Sequence, residues 1–171
     1  MISGQTSPPR EVHIVPFEPR FAAAFKALNE EWITRFFALE AADRKVLDAP
    51  EANIIASGGH ILIARCGLGA VGACALLKVD ADSYELAKMA VAPQYQGRGI
   101  GRQLGSAAIS LARAHGARRL YLESNTILER AIALYRGLGF RERPARCSPY
   151  TRCNIHMEME FPPDIANAGS E

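Results

Sequence analysis

The chain has 171 residues, 49% hydrophobic and 22% charged, with a net charge of +2 and a pI near 8.4. That length and balance describe one globular domain with enough apolar residues to bury a core. The charge is too mild to point to nucleic acid or an anionic membrane, and no apolar run approaches the roughly 18 residues of a membrane span.

Residues 1–10 read as a loose leader without the apolar core of a signal peptide, so a cytoplasmic protein is expected. "EVHIVPF" then reads as a first strand. Phe21, Phe25, Leu28, Trp32 and Phe36 recur at helical spacing and predict an amphipathic helix over 19–38. "EAADRKVLDAPEANIIAS" predicts a second helix, or two short ones broken near Pro50, closed by Gly58-Gly59. The period then changes. "HILIARC", "VGACALLKV" and "SYELAKMAVA", separated by turns at Gly67–Gly69 and Asp80–Asp82, predict a three-stranded meander.

After a glycine-rich loop, Ile100, Leu104, Ala107 and Leu111 mark a helix ending at Gly116. "RRLYLES" predicts a strand, and Thr126 with Glu129 fits a capping box for a helix closing at Gly139. "FRERP" reads as a short strand, "ARCSPY" as a loop, "TRCNIHMEMEF" as an alternating last strand, and 162–171 as a tail. The expectation is a single mixed α/β domain over 11–161. Cys66, Cys74, Cys147 and Cys153 show no C-x-x-C spacing, so reduced thiols and no metal are expected.

The informative stretch is "KMAVAPQYQGRGIG", residues 88–101, with glycines at 97, 99 and 101 leading into a helix. The first N–H groups of a helix lack intrahelical partners and its dipole favours negative charge there. Glycines bring an anion close to those groups, and Arg98 and Arg102 add positive charge. Two familiar phosphate loops do not fit. A P-loop ends in Lys-Ser/Thr, where this chain has Arg102-Gln103. The dinucleotide fingerprint needs a glycine at its sixth position, where counting from Gly97 or Gly99 gives Arg102 or Leu104.

Gln96-Gly-Arg-Gly99-Ile-Gly101, preceded by "ELAKMAVAP", resembles the Gln/Arg-x-x-Gly-x-Gly/Ala motif of the GNAT superfamily of acyl-CoA-dependent N-acyltransferases. A second block, "SNTILERAIALYRGLGF", resembles that family's downstream segment through Asn125, Tyr135 and Gly139-Phe140. The resemblance is strong from Tyr84 to Phe140 and looser over the whole chain. It implies a mostly antiparallel sheet of about seven strands flanked by about four helices. It also implies acetyl-CoA as acyl donor without a metal and, by family habit, a homodimer.

The resemblance further implies site residues. The backbone of Gln96, Gly97, Arg98, Gly99, Ile100, Gly101 and Arg102 would cradle the pyrophosphate. Met89, Ala90 and Val91 would bond the pantetheine amides, with a backbone N–H near Val91 facing the thioester carbonyl. Tyr135 would protonate the leaving thiolate, and Asn125 would contact the pantetheine or thioester. Glu85, placed by alternation on the strand face of Met89 and Val91, is the candidate base.

Acceptor residues are expected on the first helix, at Trp32, Arg35 and Phe36, and before the last strand, at Tyr150 and Arg152. Either arginine would suit a substrate carboxylate. Without an acidic surface tract to recruit a basic protein tail, the preferred acceptor is the primary amine of a small metabolite or amino-acid-like molecule. The alternatives are a protein lysine or N-terminus, a non-catalytic acyl-CoA sensor, and a nucleotide site.

Overall fold

The computed structural model describes residues 11–163. The leader 1–10 and all but Pro162 and Pro163 of the expected tail lie outside them. Strands β1 (Val12–Pro16), β2 (His60–Cys66), β3 (Gly69–Lys78), β4 (Ser83–Val91), β5 (Arg119–Ser124), β6 (Arg141–Arg143) and β7 (Ile155–Glu160) form one sheet in the order β1-β2-β3-β4-β5-β7-β6. All pairings are antiparallel except β4 with β5, which follows the crossover helix α3 (Ile100–Ala114). The other helices are α1 (Ala22–Phe36), α2 (Ala41–Asp48) and α4 (Glu129–Leu138).

Strand alternation divides the core in two. Ile61, Ile63, Ala73 and Ala75 pack on one face with Phe25, Leu28, Ile33 and Leu47 from α1 and α2. Leu62, Ala64, Cys74 and Leu76 pack on the other with Leu104, Ala108 and Ala112 of α3 and Ile132 of α4. The buried stripe of α3 includes Gly105, Ala108 and Ala112, whereas Ala107 and Leu111 sit at its margin. Cys66 and Cys74 are buried within their strands. Among the described residues, no helix is long and apolar enough to cross a membrane.

Three local expectations are corrected. The capping box at Thr126 and Glu129 does not form, because α4 starts at Glu129 behind Leu128. Asn125 Oδ1 instead accepts the Ile127 N–H, and the Thr126 N–H bonds Asn154 Oδ1. The last strand is shorter than its alternation suggested, since Thr151 and Arg152 are drawn to Glu40 at the start of α2. β4 does not alternate throughout: its register jumps from Ala75↔Ala87 to Ala73↔Ala90, so Lys88 and Met89 together face Cys74.

This bulge inverts the faces of β4. Leu86 belongs to the α3 side of the core, but Ala90 belongs to the α1 side. Met89 and Val91 pack toward the α3 side, so Glu85 does not share their face. Lys88 takes the bulge conformation with φ of 52°, the one non-glycine residue at positive φ among the described residues.

Candidate active site

β4 and β5 pair only through Ser83, Tyr84 and Glu85 with Arg119, Leu120 and Tyr121. Beyond that point the strands diverge, while β5 stays paired with β7 along its whole length. The opening is occupied by two cavities that share Trp32, Met89, Leu128 and Tyr135.

The larger cavity, about 700 Å³, runs from β4 over the glycine loop to α4. Met89, Ala90, Val91, Gln96, Gly97, Gly99, Ile100 and Gly101 line it together with Tyr135, so most of the expected cofactor-binding group is brought together here. Gly97 and Gly99 have φ of 74° and 76°, which only glycine adopts freely, and nothing lies within 4 Å of where a Cβ would stand. The loop therefore presents bare main chain beside the start of α3, a cradle of the kind that accepts an anion.

The Ala92 N–H goes to Val71 of β3, and strand alternation turns the Val91 N–H the opposite way, toward the opening. Gln96 contributes through its side chain, whose Nε2 donates to the Val91 carbonyl at 3.0 Å and fastens the loop to the strand. Arg98 and Arg102 do not line the cavity. Both are exposed, and Arg98 lies over the Tyr95 ring.

The smaller cavity, about 100 Å³, carries Glu85, Glu123, Asn125, Tyr150 and Arg152. Burial raises the Glu85 carboxyl from 4.5 to about 7, reinforced by the Glu123 charge and opposed by Lys88 and Tyr121. A carboxyl poised there changes protonation near neutral pH, as a general base should. Tyr135 stands where the cavities meet. Burial lifts its phenol to about 12, with a smaller contribution from Cys74, so it stays protonated and able to donate.

Other expected residues are placed less simply. Arg35 and Phe36 line only the larger cavity, whereas Tyr150 and Arg152 line only the smaller, and Trp32 alone of that group reaches both. The Arg152 nitrogens grip Asp43 in two 2.7 Å bonds and reach Glu40 at 3.0 Å. Asn125 Nδ2 donates to the Arg152 carbonyl at 2.6 Å. Both polar ends of Asn125 are thus engaged within the protein.

Residues 57–142 match the acetyltransferase (GNAT) domain. The chain belongs to the GNAT acetyltransferase family. It is 35% identical over 96 residues to an uncharacterized N-acetyltransferase, YjgM, of Escherichia coli K12, covering 55% of this chain and 58% of that protein. It is also 35% identical over 102 residues to the N-alpha-acetyltransferase RimI of Mycobacterium tuberculosis, covering 59% and 60%. The matched stretches thus span less than two thirds of these relatives. A GNAT-family acetyltransferase crystal structure from Staphylococcus aureus Mu50 has the same fold, with a TM-score of 0.79 at 20% identity over 88% of this chain and 99% of that one.

Sequence reading missed two parts of this GNAT site. One is Glu123, the second carboxylate of the smaller cavity, which "RRLYLES" gave no reason to separate from a surface strand residue. The other is the pair Lys88 and Asp43, which join the expected Tyr150 and Arg152 in one part-buried cluster. Lys88 Nζ lies 2.7 Å from Asp43 Oδ1 and 2.9 Å from the Tyr150 hydroxyl. The one available signal was a lysine, Lys88, set between Ala87 and Met89 in the apolar half of its strand.

Proposed function

We propose that this chain transfers an acetyl group from acetyl-CoA to the primary amine of a small cationic molecule, with both substrates bound at once. The observation that carries this reading is the meeting of the two cavities at Tyr135. The bare glycine loop lies at the far side of one, and the raised carboxyl of Glu85 lies in the other.

Acetyl-CoA supplies an activated thioester. The chain's residues supply the rest. The main chain from Gln96 to Arg102 holds the diphosphate, and Met89 and Val91 offer peptide groups to the pantetheine arm, while those of Ala90 turn toward β3. The Val91 N–H, turned toward the opening, would donate to the acyl carbonyl, where a fixed donor is most useful. An ordinary alkylammonium has a pKa of roughly 10.4 and cannot attack, so its proton must leave. Glu85 takes that proton, directly or through water, and Tyr135 Oη donates one to the departing sulfur.

The acceptor class follows from charge and space. Both cationic groups of the smaller cavity, Lys88 and Arg152, are held by Asp43, leaving Arg152 poorly suited to clamp a substrate carboxylate. Glu85 and Glu123 remain as its anionic wall. A compact amine without a carboxylate matches this better than an amino acid. The relationship to RimI favours a second reading, acetylation of a protein N-terminus.

A transfer assay with free-thiol detection separates them. A panel of mono- and diamines, amino acids and N-terminal peptides is offered with acetyl-CoA and longer acyl-CoAs. Turnover with small diamines above all others supports the proposal. Preference for peptides replaces the acceptor, and tight acetyl-CoA binding without turnover on any amine replaces catalysis with sensing.

A further inference from the structure

We propose that Glu123, Cys153 and His156 form a binding site for one borderline-soft divalent cation, Zn²⁺, in the wall of the smaller cavity. Their donor atoms lie within 4.8 Å of one another. They come from three places that the fold holds together. Glu123 on β5 and His156 on β7 are direct cross-strand partners, and Cys153 precedes β7 by two residues.

The distances suit that ion. Cys153 Sγ is 3.4 Å from His156 Nε2. With Zn–S of about 2.3 Å and Zn–N of about 2.0–2.1 Å, two tetrahedral ligands stand about 3.6 Å apart. His156 Nδ1 is 4.0 Å from Glu123 Oε1. The Ser148 hydroxyl donates to Glu123 Oε2 at 2.6 Å, which orients the carboxylate and leaves Oε1 turned toward the histidine.

A second observation points to a ligand. His156 is 5% exposed, and its Nδ1 is buried with no hydrogen-bond partner. A buried polar atom left this way is destabilising unless something partners it. Metal on Nε2, beside the sulfur, fixes the proton on Nδ1, and the Glu123 carboxylate, within reach of both other donors, closes the set as third ligand while facing that N–H. Thiolate, imidazole and carboxylate together favour zinc over magnesium or calcium.

Cys153 and Glu123 both line the smaller cavity, so the ion has a route in, and the metal-free form is the one that presents the Glu123 charge to a cationic acceptor. Binding converts the Cys153 thiol to thiolate and releases its proton to solvent, with no change of oxidation state. Cysteine spacing gave no sign of this site because only one of its three ligands is a cysteine. The site does not require acetyl transfer.

The test uses the full, untagged, metal-free chain. Expected are one equivalent of Zn²⁺ by titration calorimetry and, with Co²⁺ in its place, a thiolate-to-cobalt charge-transfer band. Cys153→Ser should abolish the band and weaken Zn²⁺ at least tenfold, and Glu123→Gln should weaken Zn²⁺ without perturbing the fold. Cys147→Ser, at an exposed thiol outside the cluster, should change nothing. Absence of stoichiometric binding, or binding that survives both Cys153→Ser and Glu123→Gln, overturns the proposal.

Discussion

Lys88 and Asp43, 45 residues apart in sequence, meet at 2.7 Å with side chains 5% and 0% exposed. This pair ties the bulge of β4 to α2, and the same carboxylate, through both of its oxygens, holds Arg152 and with it the loop before β7. One aspartate thereby fixes two walls of the smaller cavity. It also helps hold Lys88 in a left-handed conformation that costs a non-glycine residue about 1–3 kcal/mol.

Removing one partner of such a buried set strands the others. Asp43→Ala should destabilise the fold by about 3–5 kcal/mol in chemical denaturation. Burial raises the Asp43 carboxyl, but hydrogen bonds from Arg152, Lys88 and the Glu40 N–H together outweigh it and bring it from 3.8 to about 2. A depressed carboxyl stabilises above its unfolded value, so this contribution is lost as pH falls from 3.8 through about 2. The gap between wild type and Asp43→Asn should shrink over that window. An unchanged gap would remove Asp43 from the account.

Tyr135→Phe keeps the ring that meets Phe140 edge-on at 6.1 Å and deletes only the hydroxyl. The melting temperature should barely move, while kcat for amine acetylation should fall at least ~10²-fold. Steady-state kinetics checks this, and full activity in the variant would dismiss the hydroxyl as proton donor.

Glu85→Gln should lower kcat/KM at neutral pH and erase an acidic limb centred near the wild-type group's value of about 7. Stability should move the other way. A carboxyl raised from 4.5 to about 7 is favoured protonated in the folded state, so wild type loses stability as pH climbs through that range. The loss is on the order of 3 kcal/mol, and the glutamine variant should escape it. Denaturation midpoints from pH 5 to 8.5, in steps of roughly half a unit, provide the measurement.

Gly99→Val places a β-branched side chain at φ of 76°, in space that is open in the fold. Strain of about 1–2 kcal/mol is expected. The larger effect should be on acetyl-CoA, whose dissociation constant by calorimetry should rise at least ~10-fold, about 1.4 kcal/mol. Unaltered affinity would move the diphosphate away from this loop.

Much of the fold was legible because it rests on period. The meander of β2 to β4, the α3 stripe from Ile100, and the glycine endings at Gly116 and Gly139 are all local patterns. The glycine loop was legible for the same reason, since its bare backbone is written in consecutive residues. Lys88 was not: a bulge inserts one residue into a ladder and leaves no mark on a strand's composition, so alternation placed Glu85 on the wrong face. Asp43 and Glu123 were hidden for another reason. Each sits in an ordinary polar position of its own element, and only packing against residues far along the chain buries it. At Thr126 a local signal was real but lost to Asn154, whose side chain takes the N–H and bonds the hydroxyl.

The early end of the β4–β5 ladder at Glu85 gives the sheet an interior edge. Outer edges invite other protein chains, and an apolar one is an aggregation hazard. This one is screened by Trp32 of α1 and Leu134 of α4, which stand over the gap. On the proposed reading, the pantetheine arm, with peptide groups of its own, takes the place of a neighbouring strand at this edge. Backbone amides of Met89 and Val91 should accordingly gain protection from deuterium exchange when acetyl-CoA is added, while those of β1 and β2 keep their rates.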